Sequence, residues 1–243
     1  MILKHMGLIC LTKLKVYNMN EIYINFIKDL ILEMGIRKPI YISDLINCVS
    51  KEYDLTLEKA TVVVSTALKS IMDTNAIPEL RFYQKRIYYR SVSTPFGDVG
   101  IDKEQLIQDK YLYDDNGYEG GLNLLYKLGL TTQIPNKRAL VTNKTDNHLD
   151  TDKELDIVLC PPKIVVNKEN KQYLMALDIL EKIDDAPIDV EDPYRIIRSY
   201  INQLGLDYSK LFVIANNYYD KDTIRQLEKL VGLKYSKGKV YGK

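Results

Sequence analysis

The densest group of potentially reactive side chains lies near the middle of the chain. It contains His148 and five carboxylates, Asp146, Asp150, Asp152, Glu154 and Asp156. Carboxylate oxygens bind divalent cations, and a metal held here could support a nuclease or a transferase. However, no glycine stands where a calcium loop needs one, and acidic loops are commonly solvated. We therefore predict no metal site and rank a carboxylate-metal enzyme last of three hypotheses.

The sequence contains few histidines and cysteines from which another kind of catalytic site could be built. The chain has two histidines, His5 and His148, and three widely separated cysteines, Cys10, Cys48 and Cys160. These counts argue against a catalytic triad, a histidine-rich metal site and a zinc site built on cysteine pairs. An odd number of separated cysteines favours free thiols in a reducing cytoplasm. We expect no catalytic residue and no cofactor.

A pair of glycines, Gly120 and Gly121, precedes the helical stretch Leu122 to Leu128. Glycines before a helix can cradle a phosphate group. No lysine followed by serine or threonine comes after this pair, and no clear strand precedes it. Close packing of the backbone is therefore the better explanation for both glycines.

The composition is that of a soluble globular protein with one or two domains: 243 residues, 46% hydrophobic and 28% charged. No apolar run approaches the roughly 20 residues of a membrane span, so we expect a cytoplasmic protein without membrane contact. Residues 1–91 carry 13 Lys or Arg against 9 Asp or Glu, a net of +4, although the whole chain is only +1. Residues 1–20 are predicted to be an N-terminal extension, because Met6 and Met19 could each be the natural start.

Residues 21–92 are predicted to form a winged helix-turn-helix domain. A first helix from Glu21 to Met34 is indicated by apolar residues at helical spacing, among them Ile22, Phe26 and Leu30. Ser43 is the expected N-cap of a short second helix, which follows an extended piece at 38–42.

A third helix is central to the DNA-binding prediction. It is expected to begin after the N-cap Thr56 and to run to about Asp73, with an apolar face of Leu57, Ala60, Val64, Ala67, Leu68 and Ile71. The opposite side carries the candidate DNA contacts Lys59, Val62, Ser65, Thr66 and Lys69, and no carboxylate occurs from Lys59 to Met72. Lysine and hydroxyl side chains can reach phosphate and base edges. Val62 would contact a thymine methyl or, alternatively, pack against another helix or a second subunit.

A hairpin after the third helix is expected to act as the wing. Aromatic and β-branched residues predict strands at Glu79 to Tyr83 and Arg86 to Arg90, joined by Gln84-Lys85. Its basic residues complete the candidate DNA-binding set: Arg81, Lys85 and Arg86, with Arg90 adding charge. The turn lacks the glycine or asparagine that tight hairpins prefer.

Residues 93–243 are predicted to form a second domain, with Thr94-Pro95-Phe96-Gly97 as the linker or turn before it. A small sheet is expected from strands at Leu130 to Pro135, Ala139 to Thr142 and Asp156 to Val166. The remainder is predicted to be helical, with a helix at Tyr173 to Ile183 and N-caps at Asp192, Asp207 and Asp220. The expected fold class is α+β, a winged helix-turn-helix followed by a mixed domain with a small sheet and a helical C-terminal part.

Several motifs between about residues 40 and 165 resemble the AbiEi family of antitoxins. In chain order they are Arg86-Ile87-Tyr88-Tyr89, Thr94-Pro95-Phe96-Gly97, Gly120-Gly121 with Leu124-Leu125-Tyr126, the run LGLTTQIP from Leu128 to Pro135, and Val141-Thr142-Asn143. The resemblance implies a winged helix joined to an antitoxin domain in a bacterial type IV toxin-antitoxin system for phage defence by abortive infection. It also implies repression of the protein's own operon and neutralisation of a nucleotidyltransferase-like toxin without a stable complex. The N-terminal extension and the absence of glycine at Lys85-Arg86 depart from the family pattern.

Three functions remain open on the sequence. The first is an antitoxin and transcriptional autorepressor that binds double-stranded operator DNA and opposes a nucleotidyltransferase-like toxin. The second is a stand-alone winged-helix transcriptional regulator whose C-terminal domain senses a ligand or dimerises. The third is the carboxylate-metal enzyme. A neighbouring gene for such a toxin would favour the first, and a palindromic operator would imply a homodimer.

Overall fold

The computed structural model describes residues 20–145 and 148–232. The chain divides into two compact units, of which the first ends at Leu106 and the second begins at Ile107. Both units contain helices and short strands, so the predicted α+β class is confirmed. Within the described residues, no helix has the length and hydropathy that crossing a bilayer requires.

The first unit alternates helices with short antiparallel strands. Its described elements are α1 (20–33), β1 (Ile40–Tyr41), α2 (Ile42–Glu52), α3 (Leu57–Asp73), β2 (Leu80–Gln84), β3 (Ile87–Arg90), β4 (Val92–Thr94) and β5 (Gly97–Val99). A further short helix, α4 (Lys103–Ile107), lies at the boundary between the units. The predicted order of three helices and a hairpin is present, and β1 lies within the extended piece predicted at 38–42. The β4–β5 hairpin is added to the prediction.

The first helix buries a different stripe from the one we predicted. Ile27 and Ile31 are fully buried in the core, whereas Ile22 is 48% exposed. Phe26 and Leu30 are only partly buried beside that core. Neighbouring positions in this helix are both apolar, so the helical period alone does not decide which of two adjacent stripes faces inward.

The N-terminus of α2 is satisfied by the backbone rather than by the predicted cap. Ser43 lies inside the helix, and the N-cap residue Tyr41 makes no side-chain cap bond. Instead, the Ile42 N–H donates to the Arg86 carbonyl at 3.1 Å. The first N–H groups of a helix need an acceptor from outside the helix, and here the hairpin supplies one.

The bounds and buried face of α3 agree with the sequence prediction. Thr56 Oγ1 accepts from the Lys59 N–H at 3.4 Å, as expected of an N-cap. The predicted apolar residues are buried except the first, Leu57, which is 59% exposed. Because the stripe Ala60, Val64, Ala67, Leu68 and Ile71 faces the core, the opposite side of α3 faces outward.

The first sheet has the strand order β1-β3-β2, with antiparallel pairing throughout. Gln84 is paired with Ile87, so the turn residues are Lys85 and Arg86, one position later than predicted. A register shift between Phe82 and Gln84 produces this difference. Such a bulge inserts a residue into one strand, which the alternation of side chains in the sequence does not reveal.

The segment Thr94-Pro95-Phe96-Gly97, which was predicted to be a linker or a turn, is the turn of a second hairpin. Thr94 is paired with Gly97, which leaves Pro95-Phe96 as the turn between β4 and β5. Thr94 Oγ1 donates to the Gly97 carbonyl at 2.8 Å and accepts from the Phe96 N–H at 3.2 Å. Of the two predicted alternatives, a linker or a turn, the structure has the turn, because proline and glycine mark a tight turn as readily as a boundary.

Three contacts tie the segment after β5 to the loop after α1. Arg37 Nε donates to the Gly100 carbonyl at 3.0 Å, and the Asp102 N–H donates to the Arg37 carbonyl at 2.8 Å. Lys38 Nζ lies 2.9 Å from Asp102 Oδ2 and, by its hydrogen bond, lowers the pKa of that carboxyl. These contacts explain why the first unit extends to Leu106 and not only to residue 92.

The second unit begins with one π-helical turn (Gln108–Leu112) and one 3₁₀ turn (Tyr113–Asp115). Its strands and helices follow as β6 (Gly117–Gly120), α5 (Gly121–Lys127), β7 (Arg138–Thr142), β8 (Asp150–Asp152), β9 (Ile157–Cys160), α6 (Lys171–Lys182), α7 (Pro193–Gln203), α8 (Tyr208–Tyr218) and α9 (Lys221–Val231). The predicted small sheet and helical C-terminal part are both present.

The second sheet has the order β6-β7-β9-β8, and only the central pair β7–β9 is parallel. The strand predicted at Leu130 to Pro135 is absent and that segment is irregular. The strand predicted at Asp156 to Val166 is shorter, since β9 ends at Cys160 before two prolines. Proline lacks the N–H that continues a strand ladder.

The caps of the last three helices agree with the sequence prediction. Asp192, Asp207 and Asp220 each accept a backbone N–H in the first turn of α7, α8 and α9. The C-cap residue of α9 is Gly232, which has a left-handed φ of 76°. Aspartate at an N-cap and glycine at the left-handed C-terminal position are local signals, which explains why they could be identified without tertiary information.

A largely buried carboxyl borders the core of the second unit. Asp178 of α6 accepts hydrogen bonds from the Tyr118 hydroxyl at 2.7 Å and the Tyr219 hydroxyl at 2.6 Å. Burial raises the pKa of Asp178 to about 6, although both tyrosine hydrogen bonds oppose the rise. Burial, and then the Asp178 charge, raise the pKa of both tyrosines, so they remain hydrogen-bond donors.

Candidate nucleic-acid interface

The α3 residues predicted to contact DNA all lie on the surface of the first unit. They are Lys59, Val62, Ser65, Thr66 and Lys69. At about 100° per residue, all of them except Ser65 fall within an arc of about 80° on the helix. This arc is opposite the buried stripe, so packing of α3 orients the predicted contacts outward together.

Val62 is 66% exposed and does not pack in the core of the first unit. It lines a shallow groove of about 80 Å³ beside α1, together with Tyr23, Ile24 and Thr66. An apolar side chain next to polar donors is the arrangement that can contact a thymine methyl while its neighbours bond to base edges.

The two hydroxyl residues of this face are not equivalent. Ser65 Oγ donates to the Thr61 carbonyl at 2.7 Å, so toward a ligand it can only accept. The Thr66 hydroxyl makes no hydrogen bond to a residue that the structure describes. Thr66 is therefore the better candidate for a hydrogen bond to phosphate or to a base.

The two lysines of this face are not neutralised by any described residue. Neither Lys59 nor Lys69 has a side-chain ion pair or hydrogen bond in the described parts of the chain. Their ten-residue separation corresponds to about 15 Å along the helix axis. The major groove of B-DNA is roughly 12 Å wide. If α3 lies in this groove, two lysines at this spacing can reach phosphates on both edges of the groove.

The β2–β3 turn presents two further cations. Lys85 and Arg86 are exposed and have no side-chain partner within residues 20–145 and 148–232. Arg86 adopts the left-handed conformation at φ 67°, which favours glycine. The Arg86 carbonyl accepts a hydrogen bond from the Ile42 N–H, so the N-terminus of α2 fixes the position of the turn.

Arg81 is less suited to DNA contact than the sequence suggested. Its Nε and Nη2 donate to Asp98 Oδ2 at 3.0 and 2.9 Å, and Nη1 donates to the Pro78 carbonyl at 2.6 Å. Hydrogen bonds from Ser93 and then from Arg81 lower the pKa of Asp98 and keep it charged. The positive charge of Arg81 is therefore balanced within the unit.

Arg90 also has a structural role. Its guanidinium pairs with Glu79 at 2.9 Å and donates from Nη1 to the Leu32 and Met34 carbonyls at the end of α1. These last carbonyls of a helix lack partners within the helix, so Arg90 satisfies them and complements the helix dipole. The cation of Arg90 thus stabilises α1 and is not available to bind phosphate.

The acidic loop is organised by hydrogen bonds and ion pairs of its own. Asp152 Oδ2 accepts from Lys110 Nζ and the Tyr111 hydroxyl, both at 2.8 Å, and Asp156 lies 3.6 Å from Lys137. Asp146 lies outside the described residues. Over residues 20–145 and 148–232, no group of three or more His, Cys, Asp or Glu could hold a metal ion.

Close packing accounts for the two glycines before α5. A Cβ at Gly120 would lie 2.8 Å from Val141 Cγ2, and one at Gly121 would lie 3.3 Å from Ala139 Cβ. Gly121 also has φ 59°, in the left-handed region. Both glycines let α5 approach β7 closely, as the sequence favoured.

Sequence reasoning missed the backbone anchor of the turn and the partner of Arg81. The anchor joins Ile42 to Arg86, and the ion pair joins Arg81 to Asp98. Only the alternation in Val-Ser-Thr and Gly-Asp-Val around the proline turn could have indicated the hairpin that carries Asp98. No family model matches the chain, and no curated protein matches it.

Proposed function

We propose that this protein is a double-stranded DNA-binding regulator that places α3 in the major groove and the β2–β3 turn against the backbone. The observation that supports this most directly is the outward face of α3. Lys59, Thr66 and Lys69 are exposed without partners among the described residues, while the opposite stripe is fully buried. The helix order and the adjacent hairpin are those expected of a winged helix-turn-helix domain.

Within this proposal, the protein is a cytoplasmic antitoxin and transcriptional autorepressor. The support is the resemblance of its motifs to the AbiEi family, of which Gly120-Gly121 and Thr94-Pro95-Phe96-Gly97 are two. It would bind operator DNA upstream of its own gene, as a homodimer if that operator is palindromic. It would also counter a nucleotidyltransferase-like toxin without a stable complex, in phage defence by abortive infection.

A stand-alone transcriptional regulator is the second candidate function. The feature that favours it is a groove of about 470 Å³ in the second unit, which has the size of a small-molecule site. In this alternative the second unit senses a ligand and the neighbouring gene encodes no toxin.

The DNA-binding proposal can be tested with the variant Lys59→Ala/Thr66→Ala/Lys69→Ala. We expect it to lose specific binding to DNA from upstream of its own gene, measured by fluorescence anisotropy. The slope of log affinity against log salt should fall by about 1.8, because each lost phosphate contact contributes about 0.9. The control is Lys51→Ala, an exposed lysine at the end of α2. Unchanged affinity of the triple variant would refute the assignment.

The antitoxin role has a separate test. The neighbouring gene is expressed alone and together with this chain, and growth is scored. Growth arrest that is relieved by the full chain supports the role. Arrest that persists would exclude the antitoxin function and leave the DNA-binding proposal standing.

A further inference from the structure

A polar groove lies in the second unit between the end of α5 and one face of α7. It has a volume of about 470 Å³ and is lined at one side by Lys127 and Leu128 and at the other by Arg195, Ser199 and Gln203. Its volume is within the range of small-molecule sites, roughly 300–1,000 Å³. Its described lining residues include no carboxylate.

The sequence of α7 explains why three polar groups face the groove together. Arg195, Ser199 and Gln203 are spaced four residues apart and therefore form one stripe on the helix. Ile197 and Ile201 are fully buried on the other side, which fixes the rotation of α7. The donors of the groove are thus held on a rigid helix that packs in the core.

The charge of the groove is positive. Lys127 pairs with Glu119 of β6, and the same carboxylate also pairs with Arg138 of β7. Glu119 thereby positions the Lys127 ammonium, and Arg195 adds a second cation to a lining that contains no carboxylate. The Arg195 side chain has no hydrogen bond or ion pair with any described residue. An arginine with a planar, unpaired guanidinium is suited to bidentate binding of an anion.

We propose that this groove binds a small phosphate ester, with the phosphate between Lys127 and Arg195 and the organic part along Leu128 and Tyr200. The two cations, the Ser199 hydroxyl and the Gln203 amide supply four separate donor groups. A terminal phosphate has three acceptor oxygens for these donors, whereas a carboxylate has two. The site is distinct from the DNA-binding face of α3 and does not depend on it.

Isothermal titration calorimetry on the full chain tests this inference. The probes are inorganic phosphate, a nucleoside monophosphate and, as the carboxylate comparison, acetate, all at one ionic strength. We expect saturable binding of the phosphate ester, weaker binding of inorganic phosphate and no saturable binding of acetate. Arg195→Ala should weaken ester binding at least tenfold. The control Arg225→Ala, an exposed arginine of α9, should leave it unchanged.

A second variant guards against a folding defect. Ser199→Glu places a carboxylate at an exposed position in the groove and should abolish ester binding while circular dichroism stays unchanged. The inference is overturned if neither phosphate probe binds saturably. The inference is also overturned if the folded Arg195→Ala and Ser199→Glu variants bind the nucleoside monophosphate as tightly as the wild type does.

Discussion

Replacing Arg86 by glycine should stabilise the protein and weaken its binding to DNA. Arg86 adopts φ 67° at the tip of the β2–β3 hairpin. A residue with a Cβ in this region costs about 1–2 kcal/mol, and glycine removes that cost. Glycine in turn loses about 0.5–1 kcal/mol through its greater freedom in the unfolded chain. The two ranges leave a net gain in the free energy of unfolding of about 0–1.5 kcal/mol, with a central value of about 0.8 kcal/mol.

The same substitution removes one exposed cation from the predicted wing. One lost phosphate contact lowers the slope of log affinity against log salt by about 0.9. Between 1 M and 0.1 M salt, the affinity deficit of the variant should therefore grow by a factor of about eight. If the first unit unfolds as a separate domain of about 100 residues, the central gain of about 0.8 kcal/mol raises Tm by about 3–6 °C.

Two comparison variants separate the charge from the backbone. Arg86→Ala loses the guanidinium but keeps the unfavourable φ, so it should lose the same affinity without gaining stability. Arg81→Ala removes an arginine from the same hairpin whose charge is balanced by Asp98, so its salt slope should match the wild type. Anisotropy titrations at several salt concentrations and thermal unfolding measure both quantities. Equal salt slopes for Arg86→Gly and wild type would show that Arg86 does not contact DNA.

Two further predictions concern the second unit. Gly120→Ala should lower the free energy of unfolding, measured by urea titration, by about 1–3 kcal/mol, because the added methyl group overpacks against Val141. The control Gly100→Ala should have little effect in the same titration, because there is open space around Gly100. Asp178 has a pKa of about 6 in the folded state against an ordinary value of 3.8, so the stability it contributes is full below pH 3.8 and is lost as the pH rises through 6. Relative to Asp178→Asn, wild type should lose about 2 kcal/mol between pH 4 and pH 7, and parallel pH curves for the two proteins would contradict this cause.

Features that depend on local chemistry were predictable from the sequence. The caps Thr56, Asp192 and Asp220 act on N–H groups within three residues, and the α3 stripe follows from a single helical period. These interactions are decided by neighbours in the chain, so their residue types and spacing are sufficient evidence. The exposed candidate face of α3 follows in turn from its buried stripe.

Features that depend on distant residues were not predictable. The choice between the Ile22 and Ile27 stripes of α1 is made by the core that the helix meets. The capping of α2 by the Arg86 carbonyl joins residues 44 positions apart, and the Arg81–Asp98 pair joins two hairpins. No periodicity or motif encodes such pairings, because each depends on how separate elements pack.

The distribution of partners among the cations is more informative than the net charge. Sequence counting gives residues 1–91 an excess of four positive charges, which is a weak signal of DNA binding. Among the cations that the structure describes in this segment, two groups differ in their partners. Lys38, Arg81 and Arg90 pair with carboxylates inside the unit and stabilise it.

The second group consists of Lys59 and Lys69 of α3 with Lys85 and Arg86 of the adjacent turn, and none has a side-chain partner among the described residues. Exposed cations gain little from intramolecular pairs, so leaving them unpaired has a small cost in stability. The left-handed φ of Arg86 is different, because it carries a cost that glycine would avoid. An arginine at such a position, beside an α3 segment that has no carboxylate from Lys59 to Met72, is the arrangement expected if contact with phosphate outweighs the stability that glycine would add.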